Sequence, residues 1–437
     1  MNVVLVLVVV VGSCVCGVLP QPTPTTHYPQ VTQGNHTQHV AINDKEMKFQ
    51  PDVVTPETAV KKNTRMHGDK SENVKANNHI RRDSRVSQRL QYILKETEAK
   101  ILEMNKRHPN RGKLKTLPGL ERLKQEEMSR INATSSPHTE DCVFVCPDAE
   151  SLAPCTCDPC THNINCSFIA SFEQLYNIFH STDFPNPRFN QFLLVGSFRT
   201  DHRATSATSG TFLAQTFGNI SFTSIWVEEV SQLTVVESGA FDGSEETLKK
   251  INFRWNSALT SFPFEEIAKM TELDLLEVRF SNLTAVPTLP HNMRLTRLYL
   301  LDNPLMTTMP RMAFAQLPNL LILDLGFNSF KIIEEDSLYF SSQNVLVFLD
   351  HNFINTIHYN AFSRFQPVGL DVSSNNLIEL EQQVFQPILD HIIAQQYDSY
   401  IDASDNPLQC GAQEWLTQNP SYLSHIFLSD SPCMKLT

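Results

Sequence analysis

The sequence predicts an α/β fold: a horseshoe-shaped solenoid with parallel strands on its concave face and a mostly irregular convex side. Three observations predict it. Between Leu295 and Leu305, the residues Leu295, Leu298, Leu300, Asn303 and Leu305 fill the spacing L-x-x-L-x-L-x-x-N-x-L. That spacing returns from anchors near Phe222, Leu248, Leu273, Leu295, Leu320, Asn344, Pro367 and Asp398, 22 to 26 residues apart until a last interval of 31. Cysteines stand on either side of this array and not within it, where they can cover its two apolar ends.

The period is that of a leucine-rich-repeat solenoid. In each coil the middle apolar residues belong to a short strand, and a polar residue turns the chain: Asn256, Asn303, Asn328, Asn352, Asn375 and Asn406, with Ser281 in one coil and none in the Phe222 coil. Such asparagines can bond the backbone of neighbouring coils as a buried ladder. Phe241, Phe314, Phe362 and Phe385 recur on the convex side, where this repeat type stacks aromatic rings. Leu298, Leu323 and Leu349 are expected indoors, in register on adjacent parallel strands. No single coil covers its own apolar face, so the pattern has meaning only because it recurs.

The boundaries follow from composition. With 437 residues the chain is too long for one compact core. Residues 1–17 read as a signal peptide, an apolar run broken by glycine and too short for a comfortable membrane span. Residues 18–141 form an extension. It is rich in Pro, Thr, His, Asn and Lys to about Arg85, then helical in pattern at Val86–Met104 and more weakly at Leu117–Ile131. Arg82-Asp-Ser-Arg85 resembles a processing site, although chance spacing explains it more simply. Residues 142–221 hold the cysteine-rich N-terminal cap and first irregular coils, 222–405 the repeats, and 406–437 a C-terminal cap. Residues 1–141 carry 21 Lys+Arg against 15 Asp+Glu, whereas 142–437 carry 14 against 32. An acidic domain of that strength has no phosphate-neutralising surface, which argues against nucleic acid and for a cationic partner.

Once the signal is removed, eight cysteines remain: Cys142, Cys146, Cys155, Cys157, Cys160, Cys166, Cys410 and Cys433. An even number in a secreted chain reads as a disulfide set, and six cysteines allow 15 pairings among which the sequence does not choose. A zinc knuckle at Cys155–Cys160 lacks a second pair at the right spacing. Asn35, Asn132, Asn165, Asn219 and Asn282 lie in glycosylation sequons.

The architecture resembles extracellular leucine-rich-repeat proteins. More narrowly, Cys146-Pro-Asp-Ala-Glu-Ser-Leu-Ala-Pro-Cys-Thr-Cys157, Leu259-Thr-Ser-Phe-Pro-Phe264 and Asn406-Pro-Leu-Gln-Cys-Gly411 resemble secreted crustacean proteins named after the non-catalytic subunit of Oplophorus-luciferin 2-monooxygenase. The resemblance covers about Cys142 to Thr437. It implies a repeat chain that accompanies a separate catalytic chain, and it leaves open any link to light emission. Caps of this kind usually begin Cys-x-Cys. Here Ala412 replaces the second cysteine, so Cys410 and Cys433 most simply bond to each other.

Enzyme signatures are absent: no G-x-S-x-G, H-E-x-x-H, phosphate-binding glycine loop or dinucleotide fingerprint. His351 beside Asp350, and His358, are more often solvated surface residues than bases. The chain is therefore read as no enzyme, with no cofactor and no metal. Binding is better supported, because alternation on a strand points Leu298 and Leu300 inward and Arg297, Tyr299 and Leu301 outward. The same phase predicts an exposed strip of Trp226, Leu275, Tyr299, Ile322, Leu346 and Phe348, with Arg254, Arg279 and Arg297 beside it. It also predicts an acidic end at Asp324, Asp350 and Asp371, with Asp402 and Asp405. Aromatic and arginine residues dominate interface hot spots. The expected function is recognition of an extracellular protein or glycan through the concave face, one form being the non-catalytic companion in a secreted hetero-oligomer. The alternatives are an innate-immune recogniser of microbial surfaces and, across classes, an enzyme with an unrecognised site. Charge reversal of Arg254, Arg279 and Arg297 is expected to weaken binding without unfolding.

Overall fold

The computed structural model describes residues 142–196, 198, 210–363, 367–394 and 400–428. The readings made on residues 1–141, on most of the loop at 200–211 and on Cys433 lie outside these described residues.

A short helix α1 (Ala149–Leu152) opens the described chain, with Asp148 capping its first N–H groups. Strands β1 (Thr156–Asp158) and β2 (Asn163–Asn165) pair antiparallel as a hairpin. Helix α2 (Phe172–Ser181) follows, its N-terminus capped by the Ser171 hydroxyl, which accepts from the Gln174 N–H at 3.0 Å. Then come β3 (Arg188–Val195), β4 (Thr211–Phe212), β5 (Ser221–Glu228), β6 (Val235–Val236), β7 (Lys250–Arg254) and β8 (Leu275–Arg279). Next are β9 (Arg297–Tyr299), β10 (Ile322–Asp324), β11 (Ile332–Ile333), β12 (Leu346–Phe348), β13 (Thr356–Ile357) and β14 (Gly369–Asp371). Helix α3 (Gln382–Ala394), β15 (Tyr400–Asp402), α4 (Glu414–Thr417), α5 (Pro420–Leu423) and β16 (Ile426–Phe427) complete the series.

Twelve of these strands form one sheet in the order β1-β2-β3-β5-β7-β8-β9-β10-β12-β14-β15-β16. From β2 onward every pairing is parallel. The expected leucine-rich-repeat α/β solenoid is what the chain forms. Its register also follows the predicted phase: Ser224, Lys250, Leu275, Arg297, Ile322, Leu346, Gly369 and Tyr400 are successive partners. The last coil is long because α3 fills its outer side. One detail differs. Leu298 and Leu323 are partners, but Val347 continues their row, and Leu349 lies two residues further along the same inner face.

A single core runs through the coils from Leu152 to Leu428. Its N-terminal part is aromatic, with Phe179 edge-on to Phe217 at 5.2 Å and Phe192 edge-on to Phe217 at 4.8 Å. Three disulfides, Cys142–Cys160, Cys146–Cys157 and Cys155–Cys166, hold the chain over that end. At the other end Trp415 donates its indole N–H to the Leu380 carbonyl at 2.9 Å, and Cys410 is disulfide-bonded.

The turn asparagines make the expected ladder. The Asn328 side chain accepts from the Asn303 N–H at 2.9 Å and donates to the Leu300 carbonyl one coil back. Asn303, Asn352, Asn375 and Asn406 repeat both bonds with their own preceding coils. Each therefore satisfies backbone groups that the turn would otherwise leave buried and unpaired. Ser281 is too short to reach back. Its hydroxyl donates within its own coil, to the Arg279 carbonyl at 3.3 Å.

Candidate functional site

Side-chain alternation divides each strand between two faces. Leu276, Leu298, Leu323, Val347, Leu370 and Ile401 enter the core. Leu275, Tyr299, Ile322, Leu346, Phe348 and Tyr400 form a second apolar cluster on the other face of the sheet. The structure brings the predicted strip together in rows. Trp226, Asn252, Glu277, Tyr299, Asp324, Phe348, Asp371 and Asp402 are successive partners across eight strands.

Their exposure departs from expectation. Trp226, Tyr299 and Phe348 were expected to stand in solvent and are 4%, 7% and 2% exposed; Leu275, Ile322 and Leu346 are buried too. Rows about 4.8 Å apart explain part of this, because each long side chain flanks the next. Arginines fill the gaps: the Arg254 guanidinium lies 4.8 Å from the centre of the Trp226 ring. The Trp226 indole N–H is itself held by the Ser224 hydroxyl at 2.8 Å.

The arginines are not free charges on a rim. Arg254 and Arg279 both pair with Glu277, Arg279 through Nε to Oε1 at 2.8 Å, and all three residues are at most 2% exposed. Arg297 pairs with Asp274. Reversing the charges of Arg254 and Arg279 would place two new carboxylates beside Glu277 in a buried setting, and reversing Arg297 would place a third beside the partly exposed Asp274. The expectation that this variant stays folded is therefore corrected: removing one partner of a buried pair alone costs about 3–5 kcal/mol. Glu277 stood in the central row but not among the sequence-derived candidates. What makes it the hub is the pairing of β7 with β8, which a linear reading does not weigh.

The acidic end is equally built in. Asp324 accepts from the Gly326 N–H at 3.0 Å, Asp371 from the Ser373 N–H at 2.9 Å, and Asp402 from the Ser404 N–H and hydroxyl at 3.0 and 2.6 Å. Gly326 leaves room for the crowding, since a Cβ there would sit 2.7 Å from an Asp350 oxygen and 3.2 Å from an Asp324 oxygen. Burial, then the neighbouring Asp350 and Asp402 charges, push the Asp371 carboxyl up to about 7. A row of carboxylates this close favours a positive occupant. His351 Nδ1 lies 3.1 Å from Asp350, and its ring stacks on Phe327 at 4.2 Å.

Sequence reasoning passed over a further row along the rim. Glu229, Trp255, Phe280, Asp302, Phe327, His351, Ser374 and Asp405 all adopt left-handed backbone, with φ between 50° and 59°. That conformation is rare for bulky residues, and here the bonds between coils hold it in place. Trp255 stacks on Phe280 at 5.2 Å, with the Arg279 guanidinium 5.3 and 5.5 Å from the two ring centres. Each row member directly precedes the turn residue of its coil, where there is one, and that position was the available signal.

Among the sequons, Asn219 is exposed at a cleft lined by Phe179, Thr182, Phe184 and Asp242, and Asn165 and Asn282 are half-buried. Among the described residues no helix is long and apolar enough to cross a membrane.

No family model matches the chain. It is 27% identical over 311 residues to the Oplophorus-luciferin 2-monooxygenase non-catalytic subunit of Oplophorus gracilirostris, an alignment covering 64% of this chain and 81% of that one. Solved structures also align, two of them as follows. One is a TLR13 complex with single-stranded RNA (18% identity, TM-score 0.35, 55% of this chain and 35% of that one). The other is an assembly of latrophilin 3, Unc5D and the repeat protein FLRT2 (17% identity, TM-score 0.38, 64% and 92%). Parallel rungs in register and the asparagine ladder give this chain a leucine-rich-repeat fold, and the Oplophorus subunit is a protein to which it is similar.

Proposed function

We propose that this chain is a secreted, non-enzymatic recognition subunit that holds a cationic protein partner along its concave face. The supporting observation is the second apolar cluster and its charged rows, which lie outside the continuous core that the repeat needs for folding. Extended concave surfaces are what solenoids offer to partners, and aromatic and arginine residues are the usual anchors. The three disulfides suit an oxidising compartment. The likeness to a subunit named as non-catalytic supports a companion role in a hetero-oligomer.

Capture from the native secretion with the tagged full chain tests this. A stoichiometric co-purifying chain is expected, and Asp324→Asn/Asp350→Asn/Asp371→Asn should reduce its recovery at least tenfold while the protein stays folded. Turnover of a substrate by the isolated chain, or retention on glycans with no protein partner, would overturn the reading.

A further inference from the structure

The chain enters β5 through a tight turn. Gln215 and Gly218 adopt left-handed backbone, at φ 52° and 56°. The Gly218 N–H donates to the Gln215 carbonyl and the Ile220 N–H to the Phe217 carbonyl, both at 3.0 Å. Phe217 and Ile220 are buried, and Asn219 between them is exposed. Asn219 opens the sequon Asn219-Ile220-Ser221 and lines a cleft of about 780 Å³. Pockets that hold small molecules span about 300–1,000 Å³.

The cleft offers what the first sugar of an N-linked chain needs. N-acetylglucosamine presents a face of C–H groups and an edge of hydroxyl and amide groups. Phe184 and Pro187 supply apolar wall, and Phe184 is fixed by stacking on Phe179 at 5.3 Å. His180 Nδ1 lies 2.8 Å from the Tyr176 carbonyl, so in the neutral ring the proton sits there and Nε2 accepts. A Cβ on Gly218 would stand 3.8 Å from that Nε2, so glycine keeps the space beside Asn219 open. Burial, then the Glu266 charge, raise the Asp242 carboxyl of the same cleft, a setting that favours a hydroxyl donor.

We propose that Asn219 carries an N-linked glycan whose first N-acetylglucosamine packs in this cleft. The donor is an oligosaccharide on a lipid pyrophosphate: the Asn219 Nδ2–C1 bond forms, the C1–O bond to the pyrophosphate breaks, Nδ2 gives up one proton and the lipid pyrophosphate leaves. In the folded chain the sequon's Ser221 hydroxyl is buried and donates to the Pro187 carbonyl at 3.2 Å. Attachment therefore precedes the pairing of β3 with β5, and folding then brings the cleft around the sugar. Asn165 contrasts with it. Its Oδ1 accepts from the Ser167 N–H at 3.0 Å, and it stands in register with Leu193 and, through it, Trp226, so a glycan there would spread over the concave face. Asn219 lies two residues before β5, at the edge where strands begin, and its glycan leaves the concave face open. This inference rests on the secretory route of the reading above.

The test uses the full chain expressed in insect cells. Peptide mass measurement on the secreted protein should find sugar on Asn219 and none there in Asn219→Gln. An endoglycosidase that cuts between the first two sugars should act about tenfold more slowly on the native protein than on the isolated glycopeptide, which corresponds to about 1.4 kcal/mol. His180→Ala/Asp242→Ala changes two side chains that are not buried and should raise the native rate at least fivefold while leaving the glycopeptide rate unchanged. A secreted chain bare at Asn219, equal rates for native protein and glycopeptide, or a native rate unmoved by the double substitution would each overturn the inference. Failure of the secretory reading looks different: the chain stays inside the cell with every sequon bare, which would overturn both.

Discussion

Replacing Asn303 by alanine tests the physical basis of the repeat. Asn303 is fully buried. Its Oδ1 accepts from the Ser281 N–H at 3.1 Å, and its Nδ2 donates to the Val278 and Leu300 carbonyls, both at 3.0 Å. Alanine leaves the Ser281 N–H and the Val278 carbonyl without this partner in a site closed to water. At about 1–3 kcal/mol per group, the loss is about 2–6 kcal/mol. The Ser281 coil should feel it most, because that coil has no ladder rung of its own. Urea denaturation of the full chain should show the midpoint falling, and hydrogen exchange should show the Ser281 amide losing protection. Asn319→Ala is the control: this exposed asparagine also bonds one coil back, to the Met293 carbonyl at 2.7 Å, yet its loss should stay within about 0.5 kcal/mol. A loss below about 1 kcal/mol at Asn303, or equal losses at the two sites, would refute the claim that buried turn asparagines stabilise the stack.

Three other outcomes follow from the same geometry. Glu277→Gln leaves Arg254 and Arg279 buried without their shared carboxylate and should destabilise by about 3–5 kcal/mol in thermal unfolding; a neutral result would mean that the pair is solvated. A carboxyl held higher in the folded than in the unfolded state favours the fold when protonated. Asp371, ordinarily near 3.8 and here near 7, should therefore contribute up to about 4 kcal/mol below pH 4 that is lost as pH rises to 7. Asp371→Asn should flatten that slope in pH-dependent denaturation. Replacing Cys155 and Cys166 together by alanine opens a link between residues 11 apart and should cost about 3 kcal/mol, read as a lower midpoint under non-reducing conditions.

The phase of the array was legible in the sequence. The template leucines, the turn asparagines and the 22–26 spacing are local, and each coil repeats them. The residues facing each other across β5 to β15 could therefore be listed before any coordinates. The irregular last interval carried no such signal, because α3 lengthens the outer side of that coil without altering its strand. The N-terminal cap was readable as a cysteine cluster but not as a set of pairs, since partner choice depends on how the β1–β2 hairpin folds back over the core.

By itself the sequence determined which side chains share a face, because a strand alternates with a fixed period of two. Only the tertiary structure decided what those side chains are to one another. Stacking β7 on β8 turned the expected basic patch into a buried network around Glu277, and stacking β10, β12, β14 and β15 raised the Asp371 carboxyl. The reason is distance. Charges in one row lie 22 to 31 residues apart along the chain, and their pairing exists only once the coils are stacked.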